Sequence, residues 1–482
     1  MRPLPRLAAG LVTAALLVPI PARLATAPEL PESARLGGAA SVADDTEAAY
    51  LRVIPTLDAR QREQSALGQQ MFNNRWAFFW FENALFGRGP TSNAQACTTC
   101  HANNGRGLTT GTPALPAVAV DGEVRDHHIT VPFEPAPNHV VRLSLPGEDA
   151  HGGPRPHPEY GDQLQIFGVK GVVPPEGSFA IDWREETVTL HDGEVVRLRR
   201  PVLRIADLGY GPLGADILSG LRLAPPLIGM GLLEAVPEET ILALAARPEV
   251  DGIRGKANRV WDESRKRHTL GRFGLKANHG SLREQVAIAF LNDIGLSSQV
   301  YEDQNCPPSS ATCREQLAAG RPEITAARLI GTETYLRALA VPTRRGLDDP
   351  AVQRGEQLFG ELRCAVCHVP ELRTGPYPAL PQLANQTIRP YTDLLLHDMG
   401  EDLADGRPDF LASGREWRTP PLWGIGLSGR VNGGTHFLHD GRARSFAEAI
   451  LWHGGEAKRS RDTFAGLTRA DRQAVEAFLG SL

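Results

Sequence analysis

Apolar and polar positions follow three distinct rhythms along this chain. The first is a continuous apolar run from Leu7 to Ile20, preceded by Arg2 and Arg6 and followed by the small residues Ala25-Thr26-Ala27. That order predicts a secretory signal over residues 1–27. The run is too short and too proline-interrupted for a membrane span, and no later stretch is long and apolar enough to supply one. The second rhythm is helical. Helices are expected over Leu57 to Asn74, Ile324 to Ala340, Val352 to Phe359 and Arg469 to Leu482, with Tyr335 and Phe478 on the apolar faces of the two that close each half. The third is strand-like alternation, in Thr187-Val188-Thr189-Leu190 and Val195-Val196-Arg197-Leu198. Asp192-Gly193 lies between them, which reads as a hairpin.

Two shorter helices announce themselves by their first turns. Ser281-Leu282-Arg283-Glu284 and Ser445-Phe446-Ala447-Glu448 both have the Ser-x-x-Glu form, in which the serine caps the orphan backbone N–H groups. The second of these runs on to His453 and stops at Gly454-Gly455, a glycine C-cap.

The chemistry sits in another repeated pair. Cys97-Thr98-Thr99-Cys100-His101 and Cys364-Ala365-Val366-Cys367-His368 share the spacing Cys-x-x-Cys-His. On one helical turn, two thiols so spaced reach the two vinyl groups on one porphyrin edge. The adjacent imidazole then meets the iron as proximal ligand. A redox dithiol or half of a zinc site would not need the histidine, so two covalently attached c-type haems are expected.

Each half therefore reads in the same order: helix with a glycine and a phenylalanine (Gly68 and Phe72; Gly355 and Phe359), Cys-x-x-Cys-His, a Pro-Pro-Leu loop (Pro225-Pro226-Leu227; Pro420-Pro421-Leu422), capped helix, closing helix. This predicts a mainly α protein of two cytochrome c-like haem domains related by duplication. The expected boundaries are a flexible lead over 28–45, an N-terminal domain over 46–342 and a C-terminal domain over 343–482. The first domain carries a loop- and β-rich insertion at about 120–210. The aromatic cluster Trp76, Phe78, Phe79, Trp80 and Phe81 is expected to be core.

Composition narrows the class without changing it. The 482 residues exceed what one hydrophobic core usually organises. A formal net charge of -5 with no basic run argues against nucleic acid as a partner. Gly 49 and Pro 38 predict long loops between modest helices. Of 6 cysteines, four belong to the haem motifs, and Cys306 and Cys313 remain. In an exported, periplasmic chain they are expected to form a disulfide rather than a redox-active pair.

Further stretches carry a family resemblance: Tyr160-Gly161-Asp162-Gln163-Leu164-Gln165, Gly271-Arg272-Phe273-Gly274, the run Pro390 to Gly400, Trp417 to Trp423, and Leu438 to Arg444. With the haem motifs they make the chain similar to the bacterial di-haem cytochrome c peroxidase superfamily. The resemblance is nearest to its di-haem oxidoreductase branch, which carries a thiol oxidoreductase label. It implies two unlike irons, one relaying electrons and one open to peroxide. It also implies a small redox protein as electron donor or acceptor, and peroxide or another small oxidant as substrate. Calcium between the domains, found in relatives, is left open.

In those peroxidases a helix at the place of the Ser445 helix supplies a sixth iron ligand, so His453 is the expected sixth ligand of the second haem, with Met399 as runner-up. Aligning Ser281 on Ser445 places Ala289 opposite His453. The first haem is then the reactive one, unless His127, His128, His139, His151, His157 or His279 caps it. Gln285 falls on the family's catalytic glutamine, and Asp293 lies two positions from its catalytic acid. Leu275 stands where relatives often have a tryptophan between the haems, which leaves direct transfer or another ring such as Trp423. The competing readings are a pure electron-transfer cytochrome with two six-coordinate haems, and a thiol oxidoreductase.

Overall fold

The computed structural model describes residues 30–77, 85–109, 138–169, 173–316 and 322–482. The expected signal, most of the aromatic cluster, His127 and His128 lie outside them.

In chain order, helix α1 spans Ala59–Asn73. Its first turn is fixed by a capping box: the Asp58 carboxylate accepts the Gln61 N–H at 2.8 Å, and Gln61 Oε1 accepts the Asp58 N–H at 2.9 Å. Strands β1 (His139–Glu148), β2 (Ser178–Thr189), β3 (Val195–Ala206) and β4 (Leu218–Leu223) follow. Helix α2 (Leu282–Ala289) runs into a π-helical turn at Phe290–Ile294. Helices α3 (Ala326–Ala338), α4 (Pro350–Glu361) and α5 (Cys364–Cys367) come next. The short strands β5 (Leu396–Asp398) and β6 (Glu416–Arg418), then α6 (Phe446–Leu451) and α7 (Arg469–Ser481), complete the elements used below.

The expected class, mainly α with two cytochrome c-like domains, does not describe this fold. Among the described residues only 33% are helical, and 21% are in strands. The physical reason is the glycine and proline content, which cuts the helices short and leaves extended segments. Those segments satisfy their backbone groups in small ladders instead. Most are two-stranded, such as β5 with β6, where His397 lies opposite Trp417. The largest, β2 with β3, is the predicted hairpin at greater length, twelve residues a strand, with Thr189 opposite Val195 across the Asp192-Gly193 turn.

Residues Glu32–Leu482 form one compact unit. Its main core draws on both halves of the sequence, including Leu36, Tyr50, Ile228, Leu232, Val341, Phe359, Trp423 and Phe478. The β2–β3 hairpin, inserted in the first half, contributes Leu190 and Leu198 to that core. Its turn is tied to α7 by Arg472, which bonds Asp192 at 2.8 Å and Glu194 at 2.6 Å. The lead expected to be flexible is packed from Ala34 onward. Leu36 is fully buried, and Ser41–Val42 pairs in parallel with Val341–Pro342.

The helix pairs explain two glycines. α1 crosses α3, and α4 crosses α7. A Cβ on Gly68 would stand 2.0 Å from the Gly331 carbonyl oxygen, and one on Gly355 would stand 1.9 Å from the Ala474 carbonyl oxygen. Only glycine allows either approach. Next to each crossing an aromatic from the first helix meets one from the second, Phe72 with Tyr335 and Phe359 with Phe478.

Candidate active site

A single cavity is lined by Cys97, Cys100 and His101 and also by Cys364, Cys367 and His368. Local backbone geometry presents each set. Cys97–Thr99 is a 3₁₀ turn after which the His101 N–H bonds the Cys97 carbonyl at 3.0 Å. α5 is one α turn, entered through the left-handed residue Arg363 (φ 66°), and the His368 N–H bonds the Cys364 carbonyl at 2.9 Å. The four thiols are unpaired, and burial pushes Cys97 and Cys364 up to about 12, which keeps them as thiols. Burial likewise drives both imidazoles down to about 4, so each is neutral with a lone pair to give. His368 Nδ1 donates to the Tyr391 carbonyl at 3.0 Å, which fixes the tautomer and leaves the Nε2 lone pair free.

The two motifs have matching surroundings. The Phe72 ring lies 6.3 Å from the His101 ring, and the Phe359 ring 6.2 Å from that of His368. Paired thiols, an adjacent neutral imidazole and a wall of apolar side chains form a donor set that fits haem at both places. Among the described residues, no group of three or more His, Cys, Asp or Glu side chains is arranged to hold a bare metal ion.

The two capped helices deliver unlike residues to this cavity. Ser281 Oγ accepts the Glu284 N–H at 3.3 Å, and Ser445 Oγ accepts the Glu448 N–H at 3.1 Å. In both, the glutamate reaches back one residue further than a capping box requires, to the N–H of Gly280 or Arg444. The matched positions Ala289 and His453 both line the cavity. His453 Nδ1 donates to the Ala449 carbonyl at 2.7 Å, so its Nε2 is also free to ligate, and burial keeps the ring neutral. Met399 lines the same cavity.

Gln285 and Asp293 both line the cavity too. Asp293 sits in the π turn that follows α2. Its carbonyl accepts the N–H groups of Asn93 and Ala94, both at 2.8 Å, which ties it to the segment leading into Cys97. Its carboxylate accepts Gln163 Nε2 at 3.0 Å. Gln163 Nε2 also donates to the Asn292 carbonyl at 2.9 Å, and Gln163 Oε1 accepts Arg142 Nη1 at 3.2 Å. Arg142 in turn pairs with Asp162. Burial raises the Asp293 carboxyl, opposed by the Gln163 hydrogen bond and the Arg142 charge. Sequence reading missed Arg142 and the role of Gln163. Both belong to the insertion, and the only signal was the Tyr160–Gln165 stretch itself.

Of the candidate capping histidines that are described, only His279 lines the cavity, and it approaches Glu284 at 3.4 Å. His139 bonds the Asp440 carbonyl, His151 stacks on Trp261, and His157 accepts a backbone N–H within its own turn. Leu275 lines the cavity, as do His439 and Trp423. An indole also reaches this region from elsewhere. Trp417, on β6, stacks on His439 with ring centres 3.7 Å apart, and its neighbour Arg418 bonds the Leu275 carbonyl through its N–H.

Cys306 and Cys313 form a disulfide, with Cys313 fully buried beside Val169 and Val173 and neither cysteine on the cavity wall. Among the described residues no helix is long and apolar enough to cross a membrane.

The model of the family described as "Di-haem oxidoreductase, putative peroxidase" matches residues 33–482 of this chain. No curated protein matches it.

Proposed function

We propose, because the chain belongs to the di-haem oxidoreductase family, that it is an exported, periplasmic enzyme that reduces peroxide at an N-terminal haem with electrons received through a C-terminal one. The net reaction is H2O2 + 2 e⁻ + 2 H⁺ → 2 H2O, with a small reduced redox protein as the electron source. The observation that carries this reading is the pair Ala289 and His453. Both line the cavity and are matched by aligning the capping serines Ser281 and Ser445, and a methyl group cannot ligate iron where a neutral, oriented imidazole can.

The haems supply one-electron storage and an iron that can bind peroxide. The chain's own residues do the rest. Cys97, Cys100, Cys364 and Cys367 would hold the groups covalently, and His101 and His368 would each ligate an iron. His453 would ligate the second iron as well. Cleaving the O–O bond requires a proton moved from one peroxide oxygen to the other. Asp293 carries that proton, held in place by Gln163, and Gln285 hydrogen-bonds the bound oxidant. Apolar side chains from α2 exclude water from the same space.

A second reading, electron transfer alone, draws support from His279, which lines the cavity and would give the first centre a sixth ligand. A thiol oxidoreductase draws none from Cys306 and Cys313, which lie away from the cavity. An EPR spectrum of the purified protein separates the first two. A high-spin or cyanide-binding haem, together with turnover of peroxide, supports the enzyme. Two low-spin haems that ignore cyanide in every oxidation state leave only electron transfer.

A further inference from the structure

The cavity holds positive charge that the described protein does not balance. Six arginines line it: Arg106, Arg142, Arg222, Arg363, Arg418 and Arg461. Four have carboxylate partners, in Asp162, Asp405, Asp251 and Asp462 respectively for Arg142, Arg222, Arg363 and Arg461. Arg106 and Arg418 have none among the described residues. Arg106 Nη1 donates to the Leu438 carbonyl at 2.7 Å. Arg418 Nε donates to the Gly274 carbonyl at 2.9 Å, and its Nη1 to the Thr419 carbonyl at 3.2 Å.

Carbonyl oxygens satisfy donors without cancelling charge. Both residues are half-buried on the cavity wall, and burial drives each down to about 10, so both remain charged at neutral pH. The acids that act on them from a distance are committed elsewhere. Asp440 is taken by Arg442 and His439, and Asp393 by His397. A buried charge left without a counter-charge costs several kcal/mol, and the four paired neighbours show how this chain otherwise avoids that cost. Among the described residues nothing meets this charge, and an anion arriving with whatever fills the cavity would.

We propose that Arg106 and Arg418 are the cationic anchors for propionate carboxylates of the two bound haems. The inference rests on the reading of two attached haems given above. It follows that each guanidinium stabilises the reduced, less positive state of the centre it faces, because its charge opposes that of the ferric ion. It also keeps the propionate it holds ionised.

The test is a spectroelectrochemical titration of the holoprotein, wild type and variants, with covalent haem counted first. Arg106→Gln and Arg418→Gln should each lower the midpoint potential of one haem. At a fixed poise the reduced-to-oxidised ratio should fall about tenfold, about 59 mV for a one-electron couple. The shifted potential should also become pH-dependent near neutrality, as the released propionate takes up a proton on reduction. Arg106→Lys and Arg418→Lys should retain most of the wild-type potential. Unchanged potentials in the Gln variants overturn the proposal. If the Gln variants do not accumulate, the Lys variants and the wild-type redox infrared difference spectrum decide. Propionate bands that stay those of the ionised form support the proposal, and a protonated-propionate band in the wild type overturns it. Wild-type potentials that move with chloride or sulfate at constant ionic strength also overturn it, since the anion then comes from solution. A chain carrying fewer than two haems overturns the functional reading and this inference with it, and the haem count alone reveals that failure.

Discussion

Gln163 Nε2 lies 3.0 Å from the carboxylate of Asp293, a residue 130 positions away in the sequence. The same amide donates to the Asn292 carbonyl and accepts from Arg142, so its orientation is fixed from three sides. This makes Gln163 a positioning residue for the buried acid beside the first Cys-x-x-Cys-His motif. Asp293→Asn should lower peroxide turnover by a hundredfold or more, the scale of a lost general acid–base group (about 10²–10⁴). Gln163→Leu removes one hydrogen bond to a carboxylate, about 1.5–3 kcal/mol, and should cost about tenfold to a hundredfold. Steady-state rates at fixed donor concentration check both. Equal activity of Asp293→Asn and wild type would remove Asp293 from the mechanism.

The second centre is tested through His453. With His453→Ala, that haem should change from low spin to high spin while the spectrum of the first haem stays as it was. EPR and the near-infrared charge-transfer band read this directly. An unaltered low-spin signal would transfer the ligand role to Met399, the runner-up donor, which lines the same cavity.

The glycine crossings predict a stability effect without a matching effect on chemistry. Gly355→Ala forces a methyl against the Ala474 carbonyl, and Gly68→Ala does the same at Gly331. Overpacking of this kind costs about 1–3 kcal/mol. Each variant should melt at a lower temperature than wild type in a thermal scan of the holoprotein. A variant that melts at the wild-type temperature would show that the helices separate freely.

Acid sensitivity should concentrate in Asp440. Burial by itself would raise its carboxyl, but the adjacent His439 and Arg442 hold it far below the usual carboxylate range. A carboxylate whose folded pKa is depressed stabilises the protein fully above the unfolded value, here 3.8, and that stability is lost as pH falls below it. Asp440→Asn should therefore flatten the loss of stability on acidification below that pH. At neutral pH it should destabilise the protein by about 3–5 kcal/mol, because Arg442 is left buried without its partner. Denaturant titrations across acidic and neutral pH measure both effects.

Much of the site was legible because its signals are local. Two cysteines and a histidine on one turn have only a few chemical uses, whatever the rest of the chain does. Ser281 and Ser445 could be read as caps because capping needs only the next three residues, and Gly68 and Gly355 stood out by their separation from Phe72 and Phe359. The same locality explains the error in fold class. The helical stretches were read correctly, but their share of the chain was overestimated. Two-residue ladders such as Ser41–Val42 with Val341–Pro342 leave no periodic trace in sequence. The lead was expected to be flexible because nothing in its own composition reveals that Leu36 would be buried against distant residues.

The sequence by itself determined which side chains could hold a redox cofactor, and where the paired helices begin and end, because those properties follow from spacing within a few residues. Tertiary structure alone decided that Gln163 would hold Asp293, that Trp417 would stack on His439 beside Leu275, and that Arg106 and Arg418 would line the cavity with no carboxylate partner among the described residues. Each of these joins segments far apart in the chain. Such encounters are set by how the whole molecule closes around its core, and no local pattern of residues encodes them.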